Sequence, residues 1–168
     1  MKLKKFYQLL KYSMVLTALS LTLYANPSQA TRSPDFIEEV KCLATNIYFE
    51  ARGESIKGQI AVAMVTINRV NDGRFADTIC GVVHQGKTNS KGKTIRCQFS
   101  WYCDGRSDKM PYDSPEAALA IDIAVKAMTN SIEDVTSGAL YFSDNKQKIP
   151  KHSENVIEIG NHVFFRRG

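Results

Sequence analysis

The stretch Pro34-Asp-Phe-Ile-Glu-Glu-Val40-Lys-Cys-Leu-Ala-Thr-Asn-Ile-Tyr-Phe-Glu50-Ala-Arg-Gly-Glu54 decides the fold. Phe36, Val40, Leu43 and Ile47 step by four, three and four residues, which is the apolar stripe of an amphipathic helix. A helix over about 34–49 is expected. Ser33 is placed to cap it, Pro34 fills its first position, and Asp35, Glu38 and Glu39 suit its positive end. Gly53 is the natural stop. One further step of three along the stripe reaches Glu50, a carboxylate where an apolar side chain belongs. A carboxyl group so placed is partly desolvated, which raises its pKa and prepares it as a general acid. The plainer alternative is a glutamate that rims the core and reaches out to solvent.

Before this helix lies a segment of a different kind. Lys2, Lys4, Lys5 and Lys11 precede an apolar run from Tyr12 to Ala25, and Asn26-Pro-Ser-Gln-Ala30 offers a small-residue cleavage site. This is the layout of a secretory signal peptide over 1–30, with a retained membrane anchor as its rival. The mature domain is then 31–168, without stable membrane insertion and located in the periplasm, the cell wall or outside the cell. Those four lysines are the only charged residues of 1–30, so the net charge of +5 falls to +1 without them. A nucleic-acid partner loses its electrostatic support.

Cysteine usage agrees with export. Cys42, Cys80, Cys97 and Cys103 make an even set, and two disulfides are expected in an oxidising compartment. Three pairings are possible. A second helix running back toward the first returns the chain near Cys42 at Cys80, which favours Cys42–Cys80 with a local Cys97–Cys103 loop. That second helix is expected over about 57–70, where Gly58-Gln-Ile-Ala-Val-Ala-Met-Val-Thr-Ile-Asn-Arg-Val70 is apolar nearly all round and so central and buried. A third is expected over about 114–129, opened by Ser114-Pro-Glu116, and short strands over 139–142 and 162–166. The region 71–113 reads as irregular, with 87–93 a polar loop. The fold class is α+β, mainly helical, with a small sheet or hairpin.

For chemistry, neither Ser100 nor Ser143 has the context of an activated nucleophile. His84, His152 and His162 are widely spaced and form no i, i+4 pair, so no metal site is expected unless they converge in space. Neither is a cofactor. Carboxylate chemistry on a glycosidic bond fits better, with Glu50 as the acid. Second carboxylates could be Glu54, Asp77, Asp104 or Asp108, although Glu54 reads better as a capping group or an ion-pair partner of Arg52. The loop Cys97-Gln-Phe-Ser-Trp-Tyr-Cys103 could line a sugar site, with Phe99, Trp101 and Tyr102 stacking on rings and Gln98 and Ser100 reading hydroxyl or acetamido groups. The same residues also suit a packed, disulfide-closed loop.

These motifs resemble the SleB/CwlJ-type cell wall hydrolases, which include spore cortex-lytic enzymes. The resemblance rests on Ile47-Tyr-Phe-Glu-Ala-Arg-Gly-Glu54, Gly58-Gln-Ile-Ala-Val-Ala63, Asn68-Arg-Val70 and Cys80-Gly-Val-Val-His-Gln85. It continues through Cys97-Gln-Phe-Ser-Trp101, Asp104-Gly105, Gly138-Ala-Leu-Tyr-Phe142 and Ile159-Gly-Asn-His-Val-Phe-Phe-Arg166, and spans about residues 38–166. It implies a lysozyme-like, mainly helical fold and cleavage of peptidoglycan glycan strands, with Glu50 as catalytic acid; the chain itself is expected to be a monomer. Gln98, Phe99, Ser100, Trp101 and Tyr141 are the expected substrate-binding residues. Members resemble lytic transglycosylases, in which one carboxyl group suffices. Two departures stand out: Ser143 where many relatives have histidine, and Pro150-Lys-His152 in place of a proline-x-tryptophan pattern. By analogy both lie near the groove.

Overall fold

The computed structural model describes residues 34–167. The expected signal peptide and the Ser33 cap lie outside the described residues. Helix α1 runs Pro34–Ala51 and α2 runs Ile56–Val70. The short helix α3 spans Ile79–Val83, and α4 spans Pro115–Met128. Ser55 and Ser114 cap α2 and α4 by accepting from the amides of Gly58 and Ala117. The fold is mixed α+β, as expected. Among the described residues no helix is long and apolar enough to cross a membrane.

Two apolar clusters flank α2, which explains a helix with almost no polar face. Leu43, Ile47, Ala63, Val82, Val83, Phe99 and the α4 residues Ala120, Ile123 and Ala124 form the larger one. Ala61, Val62 and Val65 face the other way, onto Ala139, Ile159 and Phe164. The second cluster belongs to an antiparallel sheet of β3 (Tyr141–Asp144), β5 (His162–Arg167) and β4 (Ser153–Ile159), with β5 in the middle. Cys42–Cys80 ties α1 to α3, and Cys97–Cys103 closes the aromatic loop, the pairing that chain return favoured.

The region expected to be irregular is more ordered than its composition suggested. Residues 87–93, read as a loop, belong to a hairpin of β1 (Gly86–Thr88) and β2 (Thr94–Cys97), with a bulge after Lys87. A single 3-10 turn follows at Ser100–Cys103. The strands are only three and four residues long and neither alternates in burial, so period-two patterning had little to detect. Strand β4 was missed for a related reason: its pairing with β5 shifts between Glu154 and Ile157.

Glu54 corrects another expectation. It does not pair with Arg52, which donates to the Tyr48 carbonyl and lies over the Tyr48 ring. Its carboxylate instead accepts from the backbone and side-chain amides of Asn161, at 3.1 and 2.9 Å. It thus fastens the end of α1 to the β4–β5 turn. The side-chain bond, followed by the backbone bond, lowers its pKa. This contribution is therefore present above the ordinary carboxylate range and lost as pH falls through the folded value. Glu54→Ala is expected to cost about 1 kcal/mol at neutral pH, allowing for its exposure. Urea unfolding at pH 7 and at pH 3 checks this, since the difference from the parent should shrink in acid.

Candidate active site

Glu50 sits in the last turn of α1, half-buried. Burial raises its pKa from the ordinary carboxylate value of 4.5 to about 7, and the Arg69 charge acts in the opposite direction. Two surface hollows meet at this carboxyl. One, of about 380 Å3, includes Phe49, Trp101, Asp104 and Asp108. The other, of about 350 Å3, includes Arg69, Gln98, Phe142, Ser143 and His162. Glu50 and Ser100 belong to both. A chain molecule laid through the two hollows would cross directly over Glu50.

The walls are fixed by buried polar contacts. Asn46 lies one helical turn before Glu50 and is fully buried. Its amide donates to the Thr66 hydroxyl on α2, and its carbonyl accepts from the Trp101 indole at 3.0 Å. This relay pins the aromatic loop against α1, where Trp101 stacks on Phe49 at 4.9 Å. On α2, Asn68 donates to Asp134 and to the Ala139 carbonyl. Arg69 Nε donates to the Leu140 carbonyl at 2.8 Å. These two residues hold the start of β3 against α2 and bring Ser143 toward the hollow.

Arg69 is only 4% exposed and lies over the rings of Phe75, Phe99 and Tyr141. Burial lowers its pKa to about 10, while Tyr141 and then Glu50 favour its charge. It is therefore a cation at neutral pH. Its Nη1, the Ser143 hydroxyl and His162 Nδ1 are buried without a hydrogen-bond partner among the described residues. All three residues line the second hollow. Buried polar atoms are normally satisfied, so three orphans at one hollow fit polar groups of a ligand.

The expected binding residues divide. Ser100 is exposed at the junction, Gln98 lines the second hollow, and Trp101 lines the first while only 8% exposed. Phe99 is 1% exposed and belongs to the core beneath Arg69, so it offers no stacking face. Tyr141 lines neither hollow; its ring stacks on Phe165. Of the possible second carboxylates, Asp104 and Asp108 share the first hollow with Glu50, whereas Glu54 and Asp77 do not. Ser143 reaches the site, but His152 is exposed at a positive-φ turn and lines neither hollow. His84 packs on Tyr102 and His162 on Phe142, and among the described residues no three potential metal ligands are grouped.

Sequence reading missed Asn46, Arg69 and His162. A signal existed for the first two, since an asparagine and an arginine within apolar helical runs need buried partners.

The chain is similar to known proteins over most of its described length. The cell wall hydrolase family model matches residues 53–165, beginning just past Glu50. The spore cortex-lytic enzyme of Oceanobacillus iheyensis is 45% identical over 129 residues, 75% of this chain and 41% of that protein. The spore cortex-lytic enzyme of Bacillus subtilis is 40% identical over 128 residues, 75% of this chain and 37% of that protein. The chain thus spans about two fifths of the length of the curated relatives it matches. The crystal structure of the catalytic domain of the Bacillus cereus SleB protein superposes with a TM-score of 0.60 at 26% identity, covering 77% of this chain and 91% of that one.

Proposed function

This chain belongs to the cell wall hydrolase family, and on that premise we propose that it cleaves the peptidoglycan glycan strand between N-acetylmuramic acid and N-acetylglucosamine, with Glu50 as general acid and base. It does so as an exported monomer without a cofactor. The observation that carries this reading is a single carboxyl, raised to about 7 by burial, at the meeting point of two hollows. A strand bound through both places its scissile bond at this carboxyl, which burial shifts toward its acid form.

The protonated Glu50 gives its proton to the bridging oxygen as the bond to muramic C1 breaks. The carboxylate left behind takes the proton of the muramic C6 hydroxyl, and that oxygen closes onto C1. The product is a 1,6-anhydro end formed by an internal nucleophile already in place, without a second acid. Arg69 assists the first half, because its charge favours the carboxylate that proton donation leaves on Glu50. The unpartnered Arg69, Ser143 and His162 atoms suit sugar hydroxyl and acetamido groups on that side. A second reading, water as nucleophile, is favoured by one observation: Asp104 and Asp108 share the first hollow with Glu50 and could activate it.

Digestion of purified sacculi followed by mass analysis tests the reading. Anhydromuramic ends are expected; reducing ends would select the water route. Free stem peptides, abolished by a chelator, would show an amidase and overturn the proposal. The rate should also follow the acid form of Glu50. A pH profile of kcat/KM should therefore decline as pH rises through about 7.

A further inference from the structure

The β1–β2 hairpin takes no part in the bond cleavage just described, yet its charge and register are unusual. From Gln85 to Cys97 it carries Lys87, Lys91, Lys93 and Arg96 and no acidic residue. Residues 31–168 carry a net charge of only +1, so without these four cations the rest of the domain is at −3. Lys87 and Arg96 are direct cross-strand partners, and both are exposed. Antiparallel partners project from the same face, where two like charges repel and weaken the pairing. Among the described residues neither forms a salt bridge. A like-charged pair with no internal partner, held side by side, is suited to an anion from outside.

The pair is also firmly placed. Gly86 sits where an added Cβ would meet Thr94 Cγ2 at 2.5 Å and the Arg96 carbonyl oxygen at 2.7 Å, so the strands close tightly there. The Gln98 amide donates to the Gln85 carbonyl at 2.9 Å, and Cys97 is bonded to Cys103. Lys87 and Arg96 line a hollow with Gln85, Gly86, Cys97 and Gln98. Cys97 and Gln98 also line the second hollow at Glu50. A ligand crossing Glu50 and continuing past Gln98 therefore arrives at the two cations.

The sugar backbone of peptidoglycan is uncharged; its carboxylates are on the peptides carried by muramic acid. We infer that Lys87 and Arg96 form a carboxylate-binding site for the stem peptide of a muramic residue beside the cleaved bond. The site makes the enzyme selective for peptide-bearing over bare glycan. This rests on the glycan-cleaving reading above and specifies its substrate.

The test compares initial rates on soluble peptide-bearing glycan strands and on the same strands stripped by an amidase, with the lactyl carboxylates that this cleavage exposes converted to neutral amides. The parent protein is expected to favour the peptide-bearing strands by about tenfold at low salt, with a smaller margin at high salt. The K87Q/R96Q double variant should lose that margin, keep its rate on bare strands, and melt at the parent's temperature or higher because the repulsion is gone. Lys87→Arg should keep the preference. A parent without preference, or a double variant slowed equally on both strands, overturns the inference. So does a lowered melting temperature with both rates reduced, which marks the pair as structural. A parent inactive on both strands overturns the glycan-cleaving reading itself, a result distinct from loss of selectivity.

Discussion

Glu50→Gln is expected to lower kcat on purified sacculi by about a hundredfold to ten-thousandfold, the usual contribution of a positioned general acid and base. Glutamine keeps the shape and some of the hydrogen bonding but cannot give up or recover the proton. KM should change little, because the walls around Glu50 remain. The same variant should be more stable than the parent in mild alkali. A carboxyl whose folded pKa is raised holds its proton more tightly in the fold, so its relative stability is greatest below about 4.5 and is lost as pH rises through about 7. By linkage the loss is on the order of 2 to 3 kcal/mol at pH 8, and glutamine avoids it. Together, lost activity and gained stability separate a catalytic carboxyl from a structural one. Full activity in Glu50→Gln would remove Glu50 from the reaction.

The second large effect concerns the Cys42–Cys80 bridge. It joins α1 to α3 across 38 residues of chain. Closing a loop of that length removes unfolded-state entropy worth about 4 kcal/mol, a large part of the stability of a domain this size. The Cys97–Cys103 bridge spans only 6 residues, and the same reasoning gives about 2 kcal/mol. Paired serine substitutions at Cys42 and Cys80 should therefore cost more in urea unfolding than those at Cys97 and Cys103. Activity measured well below the unfolding transition should show the reverse order. The short bridge closes the loop that carries Ser100 and Trp101 to Glu50. Equal stability losses, or none, would contradict the account.

The parts of the fold legible in the sequence were those in which local pattern and tertiary demand agree. The stripe from Phe36 to Ile47 faces the larger core, and its extension to Glu50 locates the carboxyl at the edge of that core. Helix α2 reads as apolar on all sides because two clusters flank it. What sequence could not show were relations set by distant residues. Glu54 finds Asn161 across 107 positions, so its local neighbour Arg52 was the wrong partner to consider. Aromatic residues serve equally as core and as platform, and only the backbone direction turns Phe99 inward and leaves Trp101 at the hollow. Arg69 looked like one more polar residue on α2. Its approach to Glu50 depends on the Leu140 carbonyl, contributed by a segment 71 residues later.

Burial shifts the Glu50 carboxyl toward its acid form at the crossing point of the groove, and the proposed chemistry depends on that shift. The most direct measurement is the titration of that one carboxyl, by carbon NMR of protein labelled at glutamate side chains, assigned through its absence in Glu50→Gln. A midpoint of about 7 is expected, coinciding with the alkaline decline of kcat/KM. A midpoint at the ordinary value of 4.5, with activity undiminished far above it, would contradict the proposed chemistry.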